Sequence, residues 1–189
     1  ERIKAAGHRP FTPISVTRAA MRSAPPAAFA AGGGGGRDFG SLVHKLLEWI
    51  PLEPAGADAV PAAARALAPA YGLDEDGARR AAEAVASVLA LPLMERARQA
   101  ARVWRELPVW FPEGSELVEG SVDLVFEENG ALVVVDYKTD HITAEQALLQ
   151  AAHHAPQLQL YGRGLAQATG LKVKERLVLF TVLGQAVPV

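Results

Sequence analysis

The sequence predicts an α/β chain: a mixed central β-sheet flanked by helices, with a largely helical N-terminal portion. Three observations carry this reading. Apolar residues recur at helical spacing from Phe39 to Ile50. An Ala-rich tract follows over 52–105. Beyond Glu106 the period becomes strand-like, interrupted by one helical stretch before a final strand pattern.

Residues 1–37 read as a basic, Gly/Pro-rich arm or linker. Arg2, Lys4, Arg9, Arg18, Arg22 and Arg37 face only Glu1 as a counter-charge. Pro25-Pro26 and the run Gly32 to Gly36 do not sustain regular structure, and Ser15 to Met21 have room for one short helical turn. Residues 38–189 then form one domain. Leu42, Val43, Leu46, Leu47 and Ile50 share one arc of a helix that Pro51 stops, and His44 lies at the border of that arc. Residues 52–105 form a helical insertion of two to four helices, punctuated by Pro54, Pro61, Pro69 and Pro92. Arg79, Arg80, Glu83, Glu95, Arg96 and Arg98 are expected on its solvated face. Strands are expected over 107–111, 119–126, 131–138 and 176–183. Between the last two, Thr143 and Gln146 make a capping-box signature, and Pro156 is expected to open a second helix that closes at Gly170.

Composition narrows the chemistry. The 189 residues are 50% hydrophobic and 21% charged, which suits a packed core rather than global disorder. The net charge of -2, from 19 Lys+Arg against 21 Asp+Glu, excludes a uniformly basic nucleic-acid coat but leaves room for a locally basic groove. There is no cysteine, so disulfides, thiol catalysis, cysteine zinc sites and iron–sulfur clusters are excluded. Any metal must be held by carboxylates, imidazoles, carbonyls and water. No stretch approaches the roughly 20 apolar residues of a membrane span. No signal peptide is legible, which points to the cytoplasm. The chain opens on Glu1 rather than Met, in mid-pattern, and is expected to be a piece of a longer protein.

The most informative segment is a hairpin. Asn129-Gly130 between two strand patterns signals a two-residue type I′ turn. A tight turn pairs Glu128 with Ala131 and therefore sets Asp123 opposite Asp136, with Cβ atoms about 4.5–5.5 Å apart. Val122, Leu124 and Phe126 then share the other face with Val135 and Tyr137, while Lys138 lies on the face of Asp136. Two opposed carboxylates repel. One of them is protonated, or Lys138 compensates, or a divalent cation of the Mg²⁺ or Mn²⁺ type sits between them. The alternative is a solvated edge hairpin with both acids outward, against which the apolar run Val133-Val134-Val135 argues.

Four ordered motifs carry a family likeness: G-S-L-V-H (Gly40 to His44), E-G-S-V-D-L-V-F (Glu119 to Phe126), V-V-D-Y-K-T-D (Val134 to Asp140) and Q-L-Q-L-Y (Gln157 to Tyr161). With these the chain resembles the PD-(D/E)XK nuclease superfamily, and within it the C-terminal nuclease domain of AddA/RecB-type (UvrD-like) helicase–nucleases. The resemblance implies a restriction-endonuclease-like fold. It implies that His44, Asp123 and Asp136 bind Mg²⁺ or Mn²⁺ together with the Tyr137 backbone carbonyl. Lys138 would position or activate the attacking water and stabilise charge on the phosphate. Gln157 and Tyr161, at i and i+4, would orient the catalytic elements and contact the substrate backbone. Without the family, His44 reads first as a core-edge histidine. Glu106, before Leu107-Pro108, matches the family's acidic strand and suggests an accessory role. His141, His153 and His154 are expected to face solvent or backbone.

The implied function is a metal-dependent, exonuclease-type deoxyribonuclease domain of a helicase–nuclease that processes double-strand breaks in DNA repair and recombination. Its expected partners are DNA, as single-stranded ends delivered by a helicase, a helicase domain in the same chain, and a second subunit, with no membrane. The expected location is the bacterial cytoplasm, in association with the nucleoid. The alternative is a catalytically inactive nuclease-fold module for DNA binding or subunit docking. No Walker A pattern occurs in the chain.

Overall fold

The structure, a computed structural model, describes residues 11–26 and 36–189. The order of elements is β1 (Thr12–Ser15), α1 (Val16–Ala20), α2 (Gly36–Trp49), α3 (Pro54–Leu67), a 3₁₀ turn (Ala68–Tyr71), α4 (Glu75–Leu89), α5 (Pro92–Arg98), β2 (Arg102–Glu113), β3 (Glu116–Glu128), β4 (Ala131–Lys138), α6 (Ala144–Thr169), β5 (Lys172–Phe180) and β6 (Gln185–Pro188). The expected mixed α/β architecture is what forms. Six strands make one sheet in the order β1-β3-β4-β5-β6, with β2 also paired to β3. β1 with β3 and β4 with β5 run parallel; the other pairs are antiparallel. Parallel neighbours cannot be joined by a tight turn, and the 26-residue helix α6 is the crossover between β4 and β5.

Helices cover both faces. On one face α2 to α5 bury Phe39, Leu42, Leu46 and Met94 against Leu124, Phe126, Val133 and Val135. On the other, α1 and α6 bury Val16, Leu158 and Tyr161 against Val118, Val125, Val134 and Phe180. Strand β4, sandwiched between them, is apolar on both sides as an interior strand must be. Asn129 and Gly130 both take positive φ, 54° and 72°, as a type I′ turn requires.

Four local expectations differ from what forms. Part of the supposed arm belongs to the folded body. Thr12–Ser15 pair with Glu116–Glu119, and Ile14, Val16 and Ala20 are buried, because their apolar side chains complete the α6 face. Arg22 of this segment forms a bidentate pair with Glu116 at 2.6 and 2.8 Å. Arg2, Lys4, Arg9 and most of the Gly32 to Gly36 run lie outside the described residues. Pro156 does not start a new helix. It removes one N–H from α6, and the apolar faces on either side of it, Ala147 and Ala151 before, Leu158 and Leu165 after, hold the helix continuous across the gap. Arg96 and Arg98 are half-buried and paired with protein groups rather than lying on a solvated face. Arg98 donates to the carbonyls of Leu52 and Leu89 at 2.9 and 3.2 Å. Arg96 bridges Glu128 and Glu175. Finally, the last expected strand is two, β5 and β6, separated by a turn through Gly184.

Candidate active site

The site grows out of an interruption in β3. Strand β2 runs along nearly all of one edge of β3, so β1 and β4 must share the other. β1 pairs with Glu116–Glu119 and β4 with Leu124–Glu128, which leaves Gly120 to Asp123 without a strand partner on that edge. Backbone polar groups in such a gap need other partners. The Ser121 carbonyl takes the Tyr161 hydroxyl of α6 at 2.5 Å. Gly120 makes this approach feasible: a Cβ there would stand 3.0 Å from the Tyr161 hydroxyl and 2.8 Å from Val16 Cγ1.

The hairpin has the expected register from the turn up to Leu124 opposite Val135. It ends there, one step short of the expected Asp123–Asp136 pair. The Asp123 side chain takes the place of the next ladder carbonyl and accepts the Tyr137 N–H on Oδ2 at 2.5 Å. The face expected for Val122 is also reversed. Leu124 and Phe126 pack on the α2 side, but Val122 and Val118 pack on the α6 side. The adjoining strand β2 shows the same reversal: Trp104 and Leu107, three apart, both pack on the α6 side. Both strands therefore skip half a pleat at one place, where Glu106 lies beside Asp123. Glu106 has φ of 47°, a left-handed conformation that a non-glycine residue adopts only under constraint.

That irregularity aims both carboxylates at α2. His44 Nδ1 stands 3.4 Å from Asp123 Oδ1 and 3.5 Å from Glu106 Oε1. Among the described residues, His44, Glu106 and Asp123 form a set whose candidate ligand atoms all lie within 4.8 Å of one another. The Ser121 hydroxyl donates to the other Glu106 oxygen at 3.0 Å. Gly40 sits one turn before His44, where a Cβ would meet the Thr139 hydroxyl at 3.0 Å, so α2 lies close against the end of β4. The His44 ring also stands edge-on to Tyr137, centroids 5.7 Å apart.

Asp136 belongs to the α6 side. It is almost fully buried, accepts from Gln157 Nε2 at 3.0 Å and pairs with Lys138 Nζ at 2.6 Å. The electrostatics are those of a site that wants cations. Burial disfavours charging His44, but close contact with Asp123 and Glu106 outweighs it and lifts the imidazole to about 10. Burial and repulsion from Asp136 push the Asp123 carboxyl up, partly offset by His44 and Lys138. Burial works hardest against Lys138 as well, yet Asp136 and Asp123 keep its pKa above the usual lysine value, so it acts as a fixed positive charge rather than a base.

The seven residues singled out from sequence are thus distributed over two adjoining groups. His44 and Asp123 converge, joined by Glu106; Asp136, Lys138 and Gln157 form the second group; Tyr137 links them through its amide and ring; Tyr161 holds the floor of the β3 gap. Ser121 received no role from sequence, although it sits inside the G-S-V-D motif. Glu106 had only its neighbourhood to recommend it, because nothing local announces the left-handed φ. An imidazole and two carboxylates are a donor set that could hold Mg²⁺ or Mn²⁺, and the raised His44 pKa agrees with carboxylates that favour a positive charge there.

The chain is 33% identical over 87 residues to an ATP-dependent helicase/nuclease subunit of Clostridium acetobutylicum, covering 46% of this chain and 7% of that protein. It is 32% identical over 118 residues to the protein of the same name from Carboxydothermus hydrogenoformans, covering 56% and 10%. With that of Alkaliphilus oremlandii it shares 35% over 106 residues, covering 48% and 9%. The chain thus spans a tenth or less of the length of these relatives. The PD-(D/E)XK nuclease superfamily profile matches residues 18–186, from α1 to β6 and through every element of the site, and the chain belongs to that superfamily.

Proposed function

We propose that this domain is a divalent-metal-dependent deoxyribonuclease that hydrolyses phosphodiester bonds with a metal-activated water, Mg²⁺ or Mn²⁺ being the ion. The observation that supports it best is the convergence of His44, Glu106 and Asp123 beside the buried Asp136–Lys138 pair. His44, Asp123, Asp136 and the Tyr137 carbonyl would hold the ion, with Glu106 as a further oxygen donor. When bound, it lowers the pKa of a coordinated water and acts as a Lewis acid at the phosphate. The protein's own groups supply the rest. Lys138 brings a fixed positive charge to the phosphate and orients the attacking water. Gln157 fixes the orientation of the Asp136 carboxylate, and Tyr161 holds the unpaired β3 segment that carries Asp123. The names of the relatives support reading the domain as part of a helicase–nuclease, in which a motor delivers single-stranded DNA ends during processing of double-strand breaks with the help of a second subunit. Among the described residues no helix is long and apolar enough to cross a membrane.

The test is incubation of the 189-residue chain with a labelled single-stranded oligonucleotide in Mn²⁺ or Mg²⁺. Cleavage is expected, abolished by EDTA, by Asp136→Ala and by Lys138→Ala. Undiminished cleavage by both variants refutes the assignment of the site. Oligonucleotide binding without cleavage in either metal points instead to a nuclease fold used for DNA binding or docking.

A further inference from the structure

Helix α6 presents more of itself to the catalytic strand than its Q-x-x-x-Y motif. His154, Gln157 and Tyr161 are spaced i, i+3 and i+7, so they share one stripe of the helix. Each meets a different point along the active-site strands: Tyr161 the Ser121 carbonyl, Gln157 the Asp136 carboxylate, and His154 the carboxylate of Asp140. His154 does not face solvent or backbone, as its neighbour His153 does by contacting the Pro25 carbonyl at 2.7 Å. Its side chain is 15% exposed and that of Asp140 13%, and Asp140 is the second residue past Lys138.

Two features make the pair unusual. His154 Nε2 and Asp140 Oδ2 stand 3.7 Å apart, beyond hydrogen-bond length, and both atoms are shut off from water with no hydrogen-bond partner. Buried polar atoms left in this condition are costly, and a movement of under about 1 Å would close them into a charge-assisted hydrogen bond. Asp140 is also a further negative group acting on the Lys138 ammonium, after Asp136, with which the ammonium pairs, and Asp123. A lysine bound only to Asp136 would neutralise the carboxylate that the proposed site needs. Asp140 offers it an alternative counter-charge, provided that Asp140 is itself held in place.

We propose that His154 is a positioning residue of the nuclease site, acting through Asp140: it anchors the end of β4 to α6 and so sets where Lys138 stands when DNA occupies the site. The pair is open in the free protein and closes on loading, as hydrogen bonds of active sites commonly do. This rests on the phosphodiesterase reading of the site.

The experiment compares His154→Leu, His154→Gln and Asp140→Asn in the 189-residue chain, by kcat and KM on a single-stranded oligonucleotide in Mn²⁺, by melting temperature, and by histidine side-chain ¹H–¹⁵N correlation spectra in EDTA. A Gln amide reaches about as far as His Nε2 and can donate to Asp140. His154→Leu is expected to lower kcat about tenfold, as loss of catalytic positioning does, with KM and the melting temperature nearly unchanged. His154→Gln restores kcat to within about threefold of wild type. In the metal-free spectra Asp140→Asn shifts the His154 signals and leaves those of His44 in place. A fall in kcat that follows the melting temperature, or that Gln does not restore, overturns the proposal. So does an Asp140→Asn spectrum with His154 unmoved, a result that stands even if the chain proves not to cleave DNA.

Discussion

Arg96 is the fastening between the helical insertion and the hairpin that carries Asp123 and Asp136, and replacing it with Met tests how much that fastening contributes. Its guanidinium makes four hydrogen bonds, two to Glu128 at 3.0 and 2.8 Å and two to Glu175 at 3.0 and 2.7 Å. Met keeps an apolar stem of similar length while removing all four, together with the guanidinium that lies 5.7 Å from the centre of the Phe126 ring. Arg96, followed by Lys174, holds the Glu128 carboxyl at about 2, down from 4.5. A shift of that size corresponds to about 3 kcal/mol at most. Glu128 is 22% exposed and its charges are screened, which reduces the contribution to about 2 kcal/mol with the newly unpaired Glu175 included. For a chain of this length that is a melting temperature lower by roughly 4–8 °C at pH 7. The direction with pH follows from the depressed carboxyl. Its stabilisation is complete above the ordinary value of 4.5 and disappears as pH falls through about 2. Urea unfolding of wild type and Arg96→Met from pH 7 down to pH 2 should therefore show a stability gap that narrows below about pH 5 and closes near pH 2. A gap that stays constant over that range, or an Arg96→Met protein as stable as wild type at pH 7, refutes the reasoning.

Three further outcomes follow from the site. Asp123 has its carboxyl pKa raised by burial and by Asp136, so its charge destabilises the metal-free fold; Asp123→Asn should melt at or above wild type in EDTA, while Mn²⁺ raises the melting temperature of wild type alone. Glu106→Gly relieves the left-handed backbone and should unfold within about 1 kcal/mol of wild type, whereas Glu106→Val should lose about 2 kcal/mol or more, both binding Mn²⁺ at least tenfold more weakly by calorimetry. Gly120→Ala puts a methyl group against Val16 and the Tyr161 hydroxyl, and should cost about 1–3 kcal/mol in urea unfolding and lower kcat more than Tyr161→Phe does, because it displaces the β3 segment rather than removing one hydrogen bond from it.

Short-range chemistry was legible in the sequence. Asn129-Gly130 determined the turn and with it the pairing of five residues on each strand, because a type I′ turn admits one register. The period of 3.6 placed α2, and the unbroken apolar run placed β4 inside the sheet. Misreadings occurred where distant packing outweighs local preference. Pro156 has the chemistry of a helix start, but the missing hydrogen bond and the ring's crowding of the preceding turn, about 3 kcal/mol, are outweighed in a helix that buries apolar residues along both halves. Arg96 and Arg98 are charged residues on a helical stretch, and only the approach of β3, β5 and the carbonyls of Leu52 and Leu89 gives them protein partners.

The sequence by itself determined the candidate residues, His44, Asp123, Asp136 and Lys138, and that two of the acids lie at the end of one hairpin. Tertiary structure alone decided that the acids do not oppose each other. β1 and β4 divide one edge of β3 and leave a gap at Gly120 to Asp123, the two long strands lose half a pleat beside it, and Glu106 turns left-handed to join His44 and Asp123. Periodicity and turn type act over a few residues, whereas that convergence depends on elements sixty and more residues apart being packed into one place.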